Sequence, residues 1–311
     1  MIRLSAPVTA VAAGAVLLAA LGAQPDKARA IRVALTTDAA PPLSKGEVLA
    51  NVDGRKSPIL AIHGPKDDLM LILVLDLTED ISNIEPAKTA LISAINQLPA
   101  NVYVGVMRAQ DGLQVLVDPT GDREAVQKAI LSLPVSGRAG LLESIEPVAQ
   151  LGDVVLTKAP IRLAALYVTD SDIYNYREDF TNPVVNTSDY RDLSRRFPEG
   201  LIREKVAKLE TSLASYQTPI YIVHLVYRTD RLNEAYQSGL LQLAGATGGS
   251  AIFCRSRPEI APAIASAVAS IGSQYTIDLQ LPERVSKNIQ IEFQSEGRVL
   301  NYRTRFIVRE R

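Results

Sequence analysis

The chain has 311 residues, of which 47% are hydrophobic and 22% charged, and its formal net charge is −1. That length suits one large domain or two modest ones, and the balanced charge argues against nucleic acid as a partner. Tryptophan is absent and aromatic residues make up 5% of the chain, which argues against a carbohydrate-stacking platform.

Residues 1–30 stand apart. Arg3 gives a positive start, Val8 to Ala23 carries no charge, and Ala28-Arg29-Ala30 has the small-x-small form of a leader-peptidase site. Leu21-Gly22-Ala23 is a second candidate cleavage point. The segment reads as a signal peptide, so the rest of the chain is expected to be exported, periplasmic or secreted, with no membrane span after cleavage. A retained anchor is the alternative, although a span needs about 20 apolar residues and this core is shorter.

Residues 31–64 read as a small β segment. Ile31 to Leu35 is a candidate strand, Asp53-Gly54 a hairpin turn, and Ser57 to Ile62 the returning strand. Gly64 to Asp68 reads as a linker.

From Leu69 onwards strands alternate with helices, the pattern of a parallel sheet. The run Leu69 to Leu75 is apolar throughout and short, as a strand buried on both faces must be. A helix follows over about Asn83 to Gln97, with Ile84, Ala87, Leu91, Ala94 and Ile95 on one face. Next come a strand over 101–107, an Asp111-Gly112 turn, and an antiparallel return over Leu113 to Val117. Asp122 is placed to cap a helix reaching Leu133, and another helix starts at Leu141.

The strand Ile161 to Val168 ends at Thr169-Asp170-Ser171-Asp172, and an irregular polar insert fills 173–200. Helices over 202–216, 231–246 and 258–272 then alternate with strands over 219–226 and 251–253. The tail changes character: Tyr275 to Leu281, Ile289 to Phe293 and Tyr302 to Val308 alternate at period two, as half-buried antiparallel strands do. Among Arg303, Arg305 and Arg309 this alternation reads as the solvated face of a strand. Cys254 is the single cysteine, so no internal disulfide exists; it reads as a small buried hydrophobe, and His224 as a satisfied core histidine.

Asp76-Leu77-Thr78-Glu79-Asp80 directly follows the apolar strand. Oxygen-bearing side chains at the carboxyl end of a parallel strand sit where open α/β sheets bind ligands, and hard cations take oxygen clusters. The pattern resembles the Asp-x-Ser-x-Ser metal-adhesion motif of von Willebrand factor type A (VWA) domains, with both serines replaced. The element order from about Leu69 to Gly272 is also the VWA order, and the whole chain is similar to exported bacterial VWA-related proteins of the acidobacterial type. The resemblance implies a VWA-like (Rossmann-like) open sheet, mostly parallel with one antiparallel edge strand and helices on both faces. It also implies a signal peptide (1–30), a β segment (31–64), a VWA-like domain (65–274) and a closing β segment (275–311).

By the same resemblance, Asp76, Thr78, Asp80 and Asp170 would hold Mg2+ or another divalent cation. The family's second loop supplies a threonine in Gly-x-Thr-x-Leu, and here that place in Gly137-Arg138-Ala139-Gly140-Leu141 is Ala139. Losing that oxygen removes a ligand, while Asp80 adds a charge beside two other carboxylates. A metal-free site compensated by Arg138 is the alternative. The expected function is non-enzymatic capture of a protein partner at the carboxyl edge of the sheet, with help from the insert, where Tyr174, Tyr176, Phe180 and Tyr190 sit among mixed charges. A structural envelope protein with a decayed metal site is one rival. A metal-dependent hydrolase is another, weakened because no His or Lys neighbours the aspartates. Asn186-Thr187-Ser188 fits the glycosylation pattern, which chance often produces.

Overall fold

Leu69–Asp76 (β5) lies at the centre of a six-stranded sheet in the computed structural model, which describes residues 29–38, 42–78, 80–176 and 198–308. Its neighbours are Val102–Arg108 (β6) on one side and Arg162–Thr169 (β8) on the other, both parallel to it. Gln114–Thr120 (β7) closes one edge antiparallel to β6, as the Asp111-Gly112 turn predicts. Ile220–His224 (β9) and Ala251–Phe253 (β10) extend the other edge in parallel, giving the order β10-β9-β8-β5-β6-β7.

Helices cover both faces because β5 and β8 are apolar on both. On one face Leu71, Leu73 and Leu75 pack with Ile81–Asn96 (α1), Arg123–Ser132 (α2) and Ile260–Ser273 (α6). On the other, Ile72 and Val74 pack with Leu141–Lys158 (α3), Pro198–Leu213 (α4) and Arg231–Thr247 (α5). Asp122 caps α2 as expected, donating no proton but accepting from the N–H groups of Glu124 and Ala125.

The β segments at either end of the chain fold together. Ala30–Thr37 (β1), Ile59–His63 (β4), Tyr275–Gln280 (β11) and Leu300–Tyr302 (β13) form one four-stranded sheet, ordered β13-β1-β11-β4. Val48–Val52 (β2), Arg55–Lys56 (β3), Asn288–Ser295 (β12) and Arg305–Ile307 (β14) form the second, ordered β14-β12-β2-β3. Val33, Leu35, Val52, Ile277, Leu279, Ile291 and Phe293 share the core between them. The Asp53-Gly54 turn is present, both residues having positive φ (50° and 73°) as a type I′ hairpin needs. Its returning strand, however, stops after Lys56. Residues 59–63 cross into the other sheet and pair with β11.

The strand expected over 302–308 is likewise broken between the two sheets, and Arg303 stands at the break. It is buried rather than solvated, which corrects the sequence reading. Its Nε donates to the Arg305 carbonyl at 2.6 Å and its Nη1 to the Tyr216 carbonyl at 2.8 Å, while Nη2 reaches the Ala214 carbonyl. The guanidinium also lies 4.1 Å from the Phe306 ring centroid. Arg162, fully buried at the amino end of β8, does the same at the other side. It donates to the carbonyls of Pro65, Asp67, Gly272 and Gln274 and so ties the linker and β11 to the central sheet. Residues 1–28 of the expected signal peptide (1–30), most of the insert (177–197) with Phe180, Tyr190 and the Asn186 pattern, and Arg309 lie outside the described residues, whereas Ala30 already begins β1.

Candidate functional site

The chain leaves β5 towards β6 on one side, then crosses to β8 on the other. The β5–β8 pair is therefore the topological switch point of the sheet, where the connections diverge and open a crevice at the carboxyl ends. Asp76 ends β5 in register with Thr169, which ends β8, so Asp76 and Asp170 come to the same crevice from residues 94 positions apart in sequence. The strand order, the single antiparallel edge and this pair of aspartates agree with the family pattern. The fold is VWA-like.

Solved structures similar to this VWA-like chain include a von Willebrand factor type A protein from Catenulispora acidiphila, at 12% identity with a TM-score of 0.45, covering 92% of this chain and 76% of that one. An aerotolerance-related membrane protein from Bacteroides fragilis is similar at 14% identity and a TM-score of 0.42, over 65% of this chain and 98% of that one. Proximal thread matrix protein 1 from the mussel byssus, solved with a zinc-occupied MIDAS motif, is similar at 9% identity and a TM-score of 0.45, over 72% of this chain and 50% of that one. At such values the likeness concerns fold alone, and the strand order carries the assignment. No family model and no curated protein matches the chain.

Asp76 is 0% exposed, and protein donors surround its carboxylate. Gly140 N–H donates to Oδ1 at 2.9 Å, and Ser171 Oγ donates to Oδ2 at 2.8 Å. Thr169 Oγ1 lies 3.2 Å from the same Oδ2 and 2.7 Å from Ser171 Oγ. Burial raises the Asp76 pKa to about 6 despite the Gly140, Ser171 and Thr169 hydrogen bonds, which favour the ion; nearby Asp170 pushes it further up. Beneath lies a layer of buried hydroxyls, in which Tyr176 and Tyr236 are 2.6 Å apart and Tyr167 is 3.2 Å from Ser144.

Asp170 faces the β5–α1 loop. Its Oδ1 accepts from Thr78 N–H at 2.7 Å and more weakly from Thr78 Oγ1 at 3.4 Å, and its Oδ2 accepts from Asp80 N–H at 2.9 Å. Asp80 points the other way, as the N-cap of α1. It accepts from Ser82 N–H at 3.0 Å, from Ser82 Oγ, and from Asn83 Nδ2 at 2.7 Å. The Ser82 hydroxyl leads the causes that lower its pKa, and Arg257 adds to them.

Ala139 is buried in the core on the α3 side of the sheet, with its N–H donating to the Asn175 carbonyl at 2.9 Å. Where the family has a hydroxyl, a methyl group packs. Arg138 is exposed and makes no ion pair among the described residues; its N–H donates to Asp111. Hydrogen-bond donors rather than this arginine offset the aspartate charges. A Mg2+ site needs several oxygens facing one shared space. Here Asp76 and Asp170 are taken up by amides and hydroxyls, the Thr78 hydroxyl lies 3.4 Å from Asp170 Oδ1, Asp80 caps a helix, and the family's threonine position is a methyl at Ala139. Among the described residues no group of three His, Cys, Asp or Glu side chains is disposed to share a cation. As arranged, the four expected ligands do not fit the ion.

Sequence reasoning missed Gly140 and Ser171. Ser171 stands where the family has glycine, and that extra hydroxyl was the available signal. Gly140 leaves no trace in composition: its amide reaches Asp76 because its backbone passes so close to β6 that an added Cβ would lie 1.9 Å from the Ala109 carbonyl oxygen. His224 is the core histidine expected, fully buried with Nε2 2.9 Å from the Ser171 carbonyl, and burial lowers its pKa to about 4. Cys254 is buried at the end of β10, and burial raises its thiol pKa to about 11, which keeps it inert at neutral pH.

Proposed function

We propose that this chain is an exported, non-enzymatic protein-interaction module that captures its partner at the carboxyl edge of the central sheet. One observation carries the reading: at this edge Asp76, Asp170 and His224 are withdrawn while the large side chains of Ile81, Tyr174 and Tyr227 are presented. Asp76, Asp170 and His224 are each at most 1% exposed, so none can touch a substrate as acid, base or nucleophile. Around them Ile81, Tyr174 and Tyr227 are 63%, 54% and 37% exposed, on the segments that follow β5, β8 and β9. Arg255, just past β10, stacks 5.5 Å from the Tyr227 ring centroid. Aromatic residues and arginine are the types enriched at protein interfaces. Export rests on the leader-like segment 1–30.

A photoreactive residue at Tyr174 or Ile81 tests this in cells that produce the chain, with one at Leu60, exposed on the β-sandwich, as control. Discrete adducts to the same protein from both edge positions and none from Leu60 are expected. Equal adducts from Leu60, or turnover of phosphoester or peptide substrates by the purified chain, would overturn the reading.

A further inference from the structure

The mismatch between the family's metal site and the donors found here has a positive content. Three separate loops meet at the switch point: the one holding Leu77, Thr78 and Asp80 after β5, 137–140 before α3, and 170–172 after β8. In a cation site the ion would hold such loops together. Here the first loop is joined to the other two by carboxylates accepting across the junction. Asp170 of the third loop takes the backbone N–H groups of Thr78 and Asp80, fixing the first loop at two points. Asp76, at the root of the first loop, takes the Gly140 N–H of the second and the Ser171 hydroxyl of the third. Asn175, three residues past the third loop, accepts the Ala139 N–H and closes the circle.

We propose that Asp76 and Asp170 act as hydrogen-bond clasps that replace the cation, so that this edge is preorganised and works without any metal. Charged acceptors bonded to amides are among the stronger hydrogen bonds, and in a buried setting they are not screened by water. The donors are matched to the loss of the metal ligand. The third-loop serine, Ser171, brings a hydroxyl that the family's glycine lacks, and Ala139, which lost one, turns its methyl into the core. The inference concerns loop organisation and holds whatever the partner is.

Asp170→Asn separates the two arrangements because their signs differ. In an empty cation site the neighbouring carboxylates repel, and neutralising one raises the melting temperature in chelator. In a clasp, the asparagine must turn its NH2 against either the Thr78 or the Asp80 N–H, and stability falls. The expected result in EDTA is a drop of about 4 °C or more, on the scale by which lost buried hydrogen bonds lower Tm in a domain of this size. A rise would overturn the proposal. Calorimetry of the wild-type chain with Mg2+ and Mn2+ at millimolar concentration stands as the second readout, independent of whether the variant folds. No saturable heat and no change in Tm are expected; saturable binding that Asp76→Ala abolishes would overturn it.

Discussion

His224 Nε2 lies 2.9 Å from the Ser171 carbonyl oxygen, while His224 Nδ1 accepts from the Val226 N–H at 3.3 Å. That pairing suits a neutral imidazole with its proton on Nε2, and the same Ser171 donates its hydroxyl to Asp76. A buried base and a buried acid are thus joined through one residue, and their titrations oppose each other. Asp76, raised from 3.8 to about 6, contributes stability at low pH that is lost as pH rises through 6. His224, lowered from 6.5 to about 4, contributes stability above 6.5 that is lost as pH falls through 4. Between about pH 4 and 6 the two slopes, each about 1.4 kcal/mol per pH unit, cancel. Urea midpoints measured across this window should show it: relative to wild type, His224→Gln gains stability on acidification and Asp76→Asn loses it. Parallel curves for all three proteins would contradict the assignment.

Gly140→Ala is expected to be severe. The new Cβ would meet the Ala109 carbonyl oxygen at 1.9 Å, a backbone atom that cannot swing aside, and any shift withdraws the Gly140 N–H from Asp76. A loss of at least about 3 kcal/mol in urea unfolding is expected. A loss below 1 kcal/mol, which is less than ordinary overpacking costs, would show that this approach is looser than described.

Arg303→Met tests the joint between the β-sandwich and α4. The substitution keeps much of the volume and removes the donors to the carbonyls of Arg305, Tyr216 and Ala214. Desolvation already lowers the Arg303 pKa to about 10, so its charge is held at neutral pH but weakly hydrated. About 3 kcal/mol should be lost, and hydrogen exchange should quicken in β14 and its partner β12 before the central sheet. Arg303→Lys should not rescue, because an ammonium cannot span three carbonyls as the guanidinium fork does.

Asp80 separates local capping from metal ligation. As the N-cap of α1, its replacement by alanine should cost about 1 kcal/mol, and Asp80→Ser, which keeps a capping oxygen, should cost little. Denaturation in EDTA and in excess Mg2+ should give the same ranking. A ranking that reverses with Mg2+ would mean Asp80 serves an ion instead.

The central sheet was legible because its pattern is strong. Leu69 to Leu75 and Ile161 to Val168 each lack the polar alternation of a one-sided strand, and the Asp53-Gly54 and Asp111-Gly112 turns announce their hairpins through residues that tolerate positive φ. The tail misled at Arg303 because period-two alternation assigns faces only within one sheet. A strand that changes sheets at 303–304 carries its arginine inward, where the backbone carbonyls of Ala214 and Tyr216, just past α4, receive it. Arg162 inside an apolar strand was the same kind of signal, a buried guanidinium whose partners are all backbone and therefore invisible in side-chain patterns.

The sequence by itself determined that Asp76 and Asp170 stand at the carboxyl ends of parallel strands, since buried-strand pattern and the residues after it are local properties. Only the tertiary structure decided what their oxygens bind. That depends on the amides of Thr78, Asp80 and Gly140, and every residue but proline carries such an amide. Whether a carboxylate meets a cation or a backbone N–H is settled by how three loops converge, at distances that no spacing along the chain encodes.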